Sequence, residues 1–481
     1  MNPVRSLLIA AVLVAHGLGA AWGEPVWDDE ARFRALQVAV EGASHHGLSP
    51  EDYYIGDLIR LSSRPGPERD RAANAALALL VTHMHRGKVN PERYSLNRPA
   101  PADRALITYA SGAENLSKAI EAVAPVDPLY RSLVLELSRL RKIEAAGGWP
   151  VVSKGATLSV GMRDPRVAQV AARLAVTGEL TSQRPDPNLF DEILKQAVTG
   201  FQRRMGLAPT GLVTSQVVTE LNRPVAQRIQ QIRINMDRTR SLLADLPPKY
   251  VIINIAGFEA YLVENHTIVW QSRVQVGKPF RQTPQLRSAI DQIVLNPIWT
   301  VPPTILKEDI APAAAKDPGY ITQRGLSVTD QKGQPIDPRR INWTGPLPYR
   351  LQQAPGPDNA MGRVKFLFPN AYSVFLHDTP AKSLFSSPAR AFSSGCVRLE
   401  RPLELANRLL ADDKSGWTSD KTDAVLETTT SQTLHLQSPV TILLAYWTAW
   451  VDPAGVINFR HDIYGLDDRW ARALDRHNPL K

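Results

Sequence analysis

Residues Leu376 to Glu400 read L-H-D-T-P-A-K-S-L-F-S-S-P-A-R-A-F-S-S-G-C-V-R-L-E. The stretch holds Cys396, the only cysteine of 481 residues. His377 stands at the end of an apolar run of Tyr372, Val374, Phe375 and Leu376, and Ser393, Ser394 and Gly395 precede the cysteine. A thiol and an imidazole on one short segment can supply a nucleophile and its base, the thiolate attacking a carbonyl. The small residues before Cys396 suit a tight turn, which can aim the amides of Gly395 and Cys396 at one point as an oxyanion hole requires. Taken alone, a single cysteine is as well explained as a small buried hydrophobe, and a single histidine as a structural group.

The N-terminus changes that balance. Met1 to Gly23 has Arg5, an apolar stretch from Leu7 to Leu18 and small residues at Ala21 and Gly23, the pattern of an export signal cleaved near Glu24. No later apolar run is long enough to span a bilayer. In an oxidising compartment cysteines mostly occur as disulfide pairs, so one unpaired cysteine is either buried and inert or a working thiol. It also excludes a multi-cysteine zinc site. Hydrophobic residues make up 43% of the chain, a globular composition, and the formal charge is +9. A basic exported protein suits anionic envelope polymers; no Lys/Arg block with interleaved aromatics points to nucleic acid.

Outward from the motif, residues 24–150 read as helical. Asp127 as N-cap, Pro128 at the first position, Leu129, Leu133, Leu137 and Leu140 on one face and Gly147-Gly148 as the stop mark one helix. His83 and His85 lie two apart in a helical stretch, face different ways and make a poor metal pair. Residues 156–222 form a small helical module. Asp164 caps a helix ending at Gly178, and a second helix places Phe190, Ile193, Ala197 and Phe201 on one face. Val217, Val218 and Leu221 mark a third. Val225 to Leu246 reads as an amphipathic connector helix. From Tyr250 the period changes to that of strands: 251–255, 261–263, 268–270, 273–276, 292–295 and 372–376, a pattern for a β-sandwich or barrel. A Pro-rich insertion at 300–353 interrupts it just before the motif and suggests a lid. Residues 412–437 read as a polar loop. The strands near 441–446 and 456–459 are expected to close the same sheet.

The motif resembles the active site of L,D-transpeptidases with the YkuD-type catalytic domain: a histidine, a gap that Asp378 to Phe392 fits, then Ser/Thr-His-Gly-Cys. Ser393, Gly395 and Cys396 match; Ser394 departs, where most of the family has histidine, and Arg398 stands where many small members have asparagine. Both departures are typical of the large periplasmic branch. N-P-I-W-T-V-P-P-T-I (296–305) and P-G-P-D-N-A-M-G-R-V-K-F (355–366) resemble the same branch, and A-V-T-G-F-Q-R-R-M-G-L-A-P-T-G-L-V (197–213) resembles the small peptidoglycan-binding domain.

The resemblance implies a multidomain α+β protein. It comprises a helical scaffold at 24–150, a three-helix peptidoglycan-binding module at 156–222, a connector at 225–246 and a mainly-β catalytic domain at 248–465 carrying the lid. It implies a periplasmic enzyme without metal or cofactor. Cys396 would be the nucleophile, His377 the acid and base, the Asp378 carbonyl its orienting partner and the Gly395 amide an oxyanion donor. Arg398, Ser393, Ser394 and Tyr372 would contact substrate. Its partners would be peptidoglycan stem peptides and glycan, and proteins of wall synthesis. It also implies 3→3 cross-linking and acylation by carbapenems. Hydrolysis of the same thioester, or a wall-binding scaffold without activity, remain alternatives at this level.

Overall fold

The computed structural model describes residues 27–90, 103–317, 319–413 and 415–477; the expected export signal at 1–23 lies outside them. The described chain falls into two compact units. One runs to Asp245 and resumes at Trp447; the other spans Leu246–Tyr446.

The first unit is helical. The Asp127 side chain accepts from Leu129 N at 2.9 Å and starts the helix Pro128–Ala145, whose inward residues are Tyr130, Leu133, Leu137 and Leu140. Tyr130 takes the inner position expected of Leu129. In the small module, Asp164, Asp191 and Thr214 cap helices Pro165–Thr177, Glu192–Arg204 and Ser215–Leu221. Ile193, expected inside, is exposed, and Leu194 is buried instead. The cap at Asp191 leaves Phe190 outside the helix and sets the apolar face on Leu194, Ala197, Val198 and Phe201. Burying a side chain such as Phe201 contributes about 2–3 kcal/mol.

The expected connector, Val225–Leu243, is the centre of this unit. Asn235, Asp237, Arg238 and Arg240 are buried along with Ile232 and Met236. These charges are tolerated because they are bonded. Asp237 accepts from Lys88 N (2.6 Å), Val89 N (3.2 Å) and Trp470 Nε1 (3.0 Å); Arg240 donates to His46 O (2.8 Å) and to the Tyr130 hydroxyl (2.9 Å). The final strand pair also belongs here rather than on the catalytic sheet, so the catalytic unit ends near 446 and not at 465. Two observations account for this. Ala449, Val451, Ile457 and Phe459 join the helical core. Asn235 and Gln231 bond Thr448 (Thr448 N to Asn235 Oδ1, 2.9 Å; Gln231 Nε2 to Thr448 O, 3.0 Å).

The second unit is built on strands β1 (Lys249–Asn254), β2 (Glu259–Glu264), β3 (Thr267–Gly277), β4 (Leu286–Leu295), β5 (Trp299–Thr300), β6 (Leu326–Thr329), β7 (Arg350–Gln353), β8 (Val364–Leu367), β9 (Leu376–His377), β10 (Ala391–Ser393), β11 (Val397–Leu399) and β12 (Gln432–Ala445). The pairing order β3-β11-β9-β8-β4-β12-β1-β2 returns to β3, so eight strands close into a barrel, and β10 adds to the far end of β3. Closure removes the open edges that a sheet of this size would present. Asn265 and His266, both at positive φ (49° and 66°), make the tight β2–β3 hairpin.

Two sequence expectations differ. Residues 372–375 are not a strand: the Asn370 side chain bonds Phe368 O, Val374 O, Tyr372 N and Val374 N, curling the chain until β9 begins at Leu376. The stretch 412–437 is not a loop: Thr418 caps a helix at Ser419–Leu426, and β12 starts at Gln432.

The insertion folds on its own core. Strands β5, β7 and β6 pair in that order, over Leu306, Ile310, Ala314, Ile321, Val328, Trp343 and Leu351. Leu306–Ile310 is a π-helical turn, a form that frequently accompanies functional sites.

Candidate active site

Register places the chemistry. Lys365 on β8 pairs with His377 on β9, His377 with Arg398 on β11, and Arg398 with Gln275 on β3. Paired residues share a face, and residues two apart on a strand share it too. Phe375 and Cys396 each stand immediately before a strand of this row, Phe375 before β9 and Cys396 before β11. Val397 N donates to Phe375 O at 3.1 Å, holding the two strand entries together. The Phe375 and His377 rings lie 5.6 Å apart, and Lys365 Nζ stands 3.8 Å from the centre of the Phe375 ring.

His377 is 2% exposed. Its Nδ1 lies 2.5 Å from the Asp378 carbonyl oxygen, which accepts the ring proton and leaves Nε2 unprotonated. Burial drives its pKa down to about 3, with Arg398 and Lys365 adding to the effect. The imidazole is thus neutral throughout the physiological range. The Asp378 carboxylate does not reach the ring. It accepts from Lys382 Nζ (2.5 Å) and from Arg363 N (2.9 Å), fixing the turn at 361–363. Gly362, at φ 61°, is required there, because a Cβ would lie 2.4 Å from that carboxylate.

The thiol of Cys396 is pushed above its ordinary value by burial, against the Phe375 amide and the nearby charges of Lys365 and Arg398. At rest the pair is therefore thiol and imidazole rather than thiolate and imidazolium. Alkylation by iodoacetamide should accordingly be slow at pH 7 and climb through and beyond pH ~8.5, the ordinary thiol range. A plateau already reached at pH 6, read by mass spectrometry of Cys396, would contradict this reading.

The turn before the cysteine is held from both sides. Ser393, buried, donates its hydroxyl to Cys396 O at 2.5 Å and accepts from Gly395 N at 3.1 Å. The Ser393 hydroxyl, expected to meet substrate, thus closes the turn, and the Gly395 amide, expected to meet an oxyanion, donates to that hydroxyl. Gly395 sits at φ 117°, a conformation that favours glycine. Ser394 and Tyr372 are exposed.

A second loop, 277–283, grips this turn. Lys278 N donates to Ser393 O (3.0 Å), Thr283 Oγ1 to Gly395 O (2.8 Å), and Arg281 Nη1 to Ser394 Oγ (2.9 Å). The same guanidinium pairs with Glu308 (2.6 Å) and Asp309 (2.5 Å) on the π-helical turn of the insertion. Arg281 thereby links the insertion to Ser394, two residues before Cys396. Arg281→Ala should slow β-lactam acylation of Cys396 by roughly 10–100-fold, the scale of a misplaced reacting group. Glu308→Gln with Asp309→Asn, which spares the Ser394 bond, should cost less. Equal acylation rates in wild type and Arg281→Ala would remove the link.

Lys365 and Arg281 had no signal in the sequence beyond lying near the motif. Among the described residues, no group of three or more His, Cys, Asp or Glu side chains could hold a metal. No described helix is long and apolar enough to cross a membrane.

Residues 248–440 match the L,D-transpeptidase catalytic domain, YkuD. Residues 21–137 match a scaffold domain, and residues 163–221 match a domain described, provisionally, as peptidoglycan-binding. The chain is thus a multidomain α+β protein with a YkuD-type L,D-transpeptidase catalytic domain, a peptidoglycan-binding domain and an N-terminal helical scaffold. A Haemophilus influenzae protein, named provisionally as an L,D-transpeptidase, is 35% identical over 244 residues, covering 50% of this chain and 48% of that one. The chain therefore spans about half the length of this curated relative. Solved structures of L,D-transpeptidases from Xylanimonas cellulosilytica (14% identity, 61% of this chain, 98% of that chain, TM-score 0.19) and Stackebrandtia nassauensis (12%, 61%, 96%, 0.22) are also similar. At these scores the likeness carries no argument.

Proposed function

We propose that the protein is an exported L,D-transpeptidase that joins peptidoglycan stem peptides through a thioester on Cys396. The observation that supports this reading is a buried, neutral His377, its Nδ1 tied to the Asp378 carbonyl, in register with Arg398 on the strand that Cys396 leads into. The sulfur attacks the donor carbonyl as its proton passes to Nε2 of His377. The oxyanion is met by the Cys396 amide. The scissile C–N bond breaks, and His377 returns the proton to the leaving amine. An amine of a second stem then attacks the thioester and gives its proton to His377, and the thiol is regenerated. In the first step, charge develops only as bonds change, which suits a site whose base is neutral and whose thiol is protonated at rest.

Purified protein incubated with disaccharide-tetrapeptide fragments should yield 3→3 dimers by mass spectrometry, with loss of one terminal residue per bond formed. Trimmed stems alone would replace transfer with hydrolysis, and unchanged stems would leave a wall-binding scaffold.

A further inference from the structure

The two cations that flank His377, Lys365 and Arg398, have no carboxylate within 4 Å among the described residues, whereas Arg281, Lys382 and Arg390 of the same unit each have one. Arg398 donates from Nη1 to the neutral amide oxygen of Gln275 at 3.3 Å, and its buried Nε has no partner. Lys365 lies against the face of Phe375. Neither forms an ion pair among the described residues. Both are partly buried, so both lose hydration without gaining an opposite charge. Burial lowers the pKa of each, as it does for an uncompensated cation. With the imidazole neutral and the thiol protonated, the resting site carries two positive charges and nothing to balance them. Each lies one strand from His377 in the row, so a carboxylate held by either would lie beside the imidazole that serves Cys396.

We propose that Lys365 and Arg398 form a carboxylate-binding clamp, and that the acyl donor is selected for a carboxylate adjacent to the scissile bond. The inference rests on the acyl-transfer reading above and adds to it a charge requirement and a residue, Lys365, that set donor specificity. Two sources offer this chemistry: the free terminus of the leaving residue, and the second carboxyl group of the diamino acid that becomes the acyl group. A guanidinium fork and an ammonium point charge suit either.

The test uses the full-length protein and three synthetic stem tetrapeptides: the free acid, its C-terminal amide, and a form with the diamino-acid carboxyl amidated. Wild type should favour the free acid over one of the two amides by roughly 10–100-fold in kcat/KM, the scale of a charge-assisted hydrogen bond. The disfavoured amide identifies the carboxylate that is held. Lys365→Met and Arg398→Gln should raise KM for the free acid and bring that ratio towards one. Lys365→Arg should restore much of it. A cooperative thermal unfolding transition, together with alkylation of Cys396 at pH 7 that stays slower than in denaturant, reports that each variant has folded.

The clamp is overturned if wild type treats all three peptides alike. It is equally overturned if both variants lower kcat for acid and amides equally, leave KM unchanged and move the alkylation profile to higher pH. In that case the cations serve the thiolate. Wild type that processes none of the peptides would remove the acyl-transfer reading itself, a different result from either.

Discussion

Cys396→Ala should take up no β-lactam and form no cross-linked product, a loss of at least roughly 10⁴-fold against wild type. A thiol nucleophile that forms a thioester with a stem peptide should also open a strained lactam ring and retain the acyl group, because both pass through a tetrahedral oxyanion at the same amide. Intact-mass measurement should therefore add one drug mass to wild type, and peptide mapping should find it on Cys396. No second cysteine exists to substitute. His377→Gln should still be acylated, but roughly 10²–10⁴-fold more slowly, the usual range for a lost general base. Since the thiol lies above its ordinary value, that deficit should shrink as pH rises and hydroxide does the work of the imidazole. Acylation that persists in Cys396→Ala would point to a serine, with Ser394, the exposed hydroxyl of the turn, the first suspect.

The second large effect concerns the insertion. Removing residues 307–338, the cut the Pro-rich composition suggests, would take Ile310, Ala314, Ile321 and Val328 out of a core and strand Trp343 and Leu351 in water. The register offers a cleaner cut. Trp299 pairs with Gln353 and Thr300 with Gln352, so an Asn-Gly turn can join Thr300 directly to Gln352. That excision should leave a barrel that unfolds cooperatively, with a Tm within a few degrees of wild type. Transfer should fall by roughly 10²-fold or more, since Arg281 loses Glu308 and Asp309 and with them its hold on the turn before Cys396. Unchanged cross-linking by the excised protein would show that the insertion has no part in the reaction.

The site was legible in the sequence where chemistry is local. A unique cysteine, a glycine before it and a histidine at the end of an apolar run need no tertiary information. The Lys365–His377–Arg398 row was not legible, because it spans three strands and depends on register, which alternation within one strand does not specify. The role of the Asp378 side chain was hidden for the same reason: its partners, Lys382 and the Arg363 amide, come from turns on either side of it. In the fold, helix starts followed their caps at Asp127 and Asp164. The strand expected at 372–376 failed because one amide side chain, that of Asn370, bonds the backbone on both sides of the bend. The closing hairpin was misassigned because its alternation fits any apolar surface. Only the polar partners Asn235 and Gln231 direct it to the helical unit.

That hairpin bears on how the molecule is made. Ribosomes usually release domains to fold in order of synthesis. Here the order is inverted: the last barrel strand, β12, ends at Ala445, while the core of the earlier unit still lacks Ala449, Val451, Ile457, Phe459, Trp470 and Leu474. A chain halted near Tyr446 would hold every strand of a complete barrel, while in its helical unit Asp237 would lack its Trp470 donor. Truncated products should thus be proteolysed from the helical side, and the finished tail acts as the final closing piece of the part that was translated first.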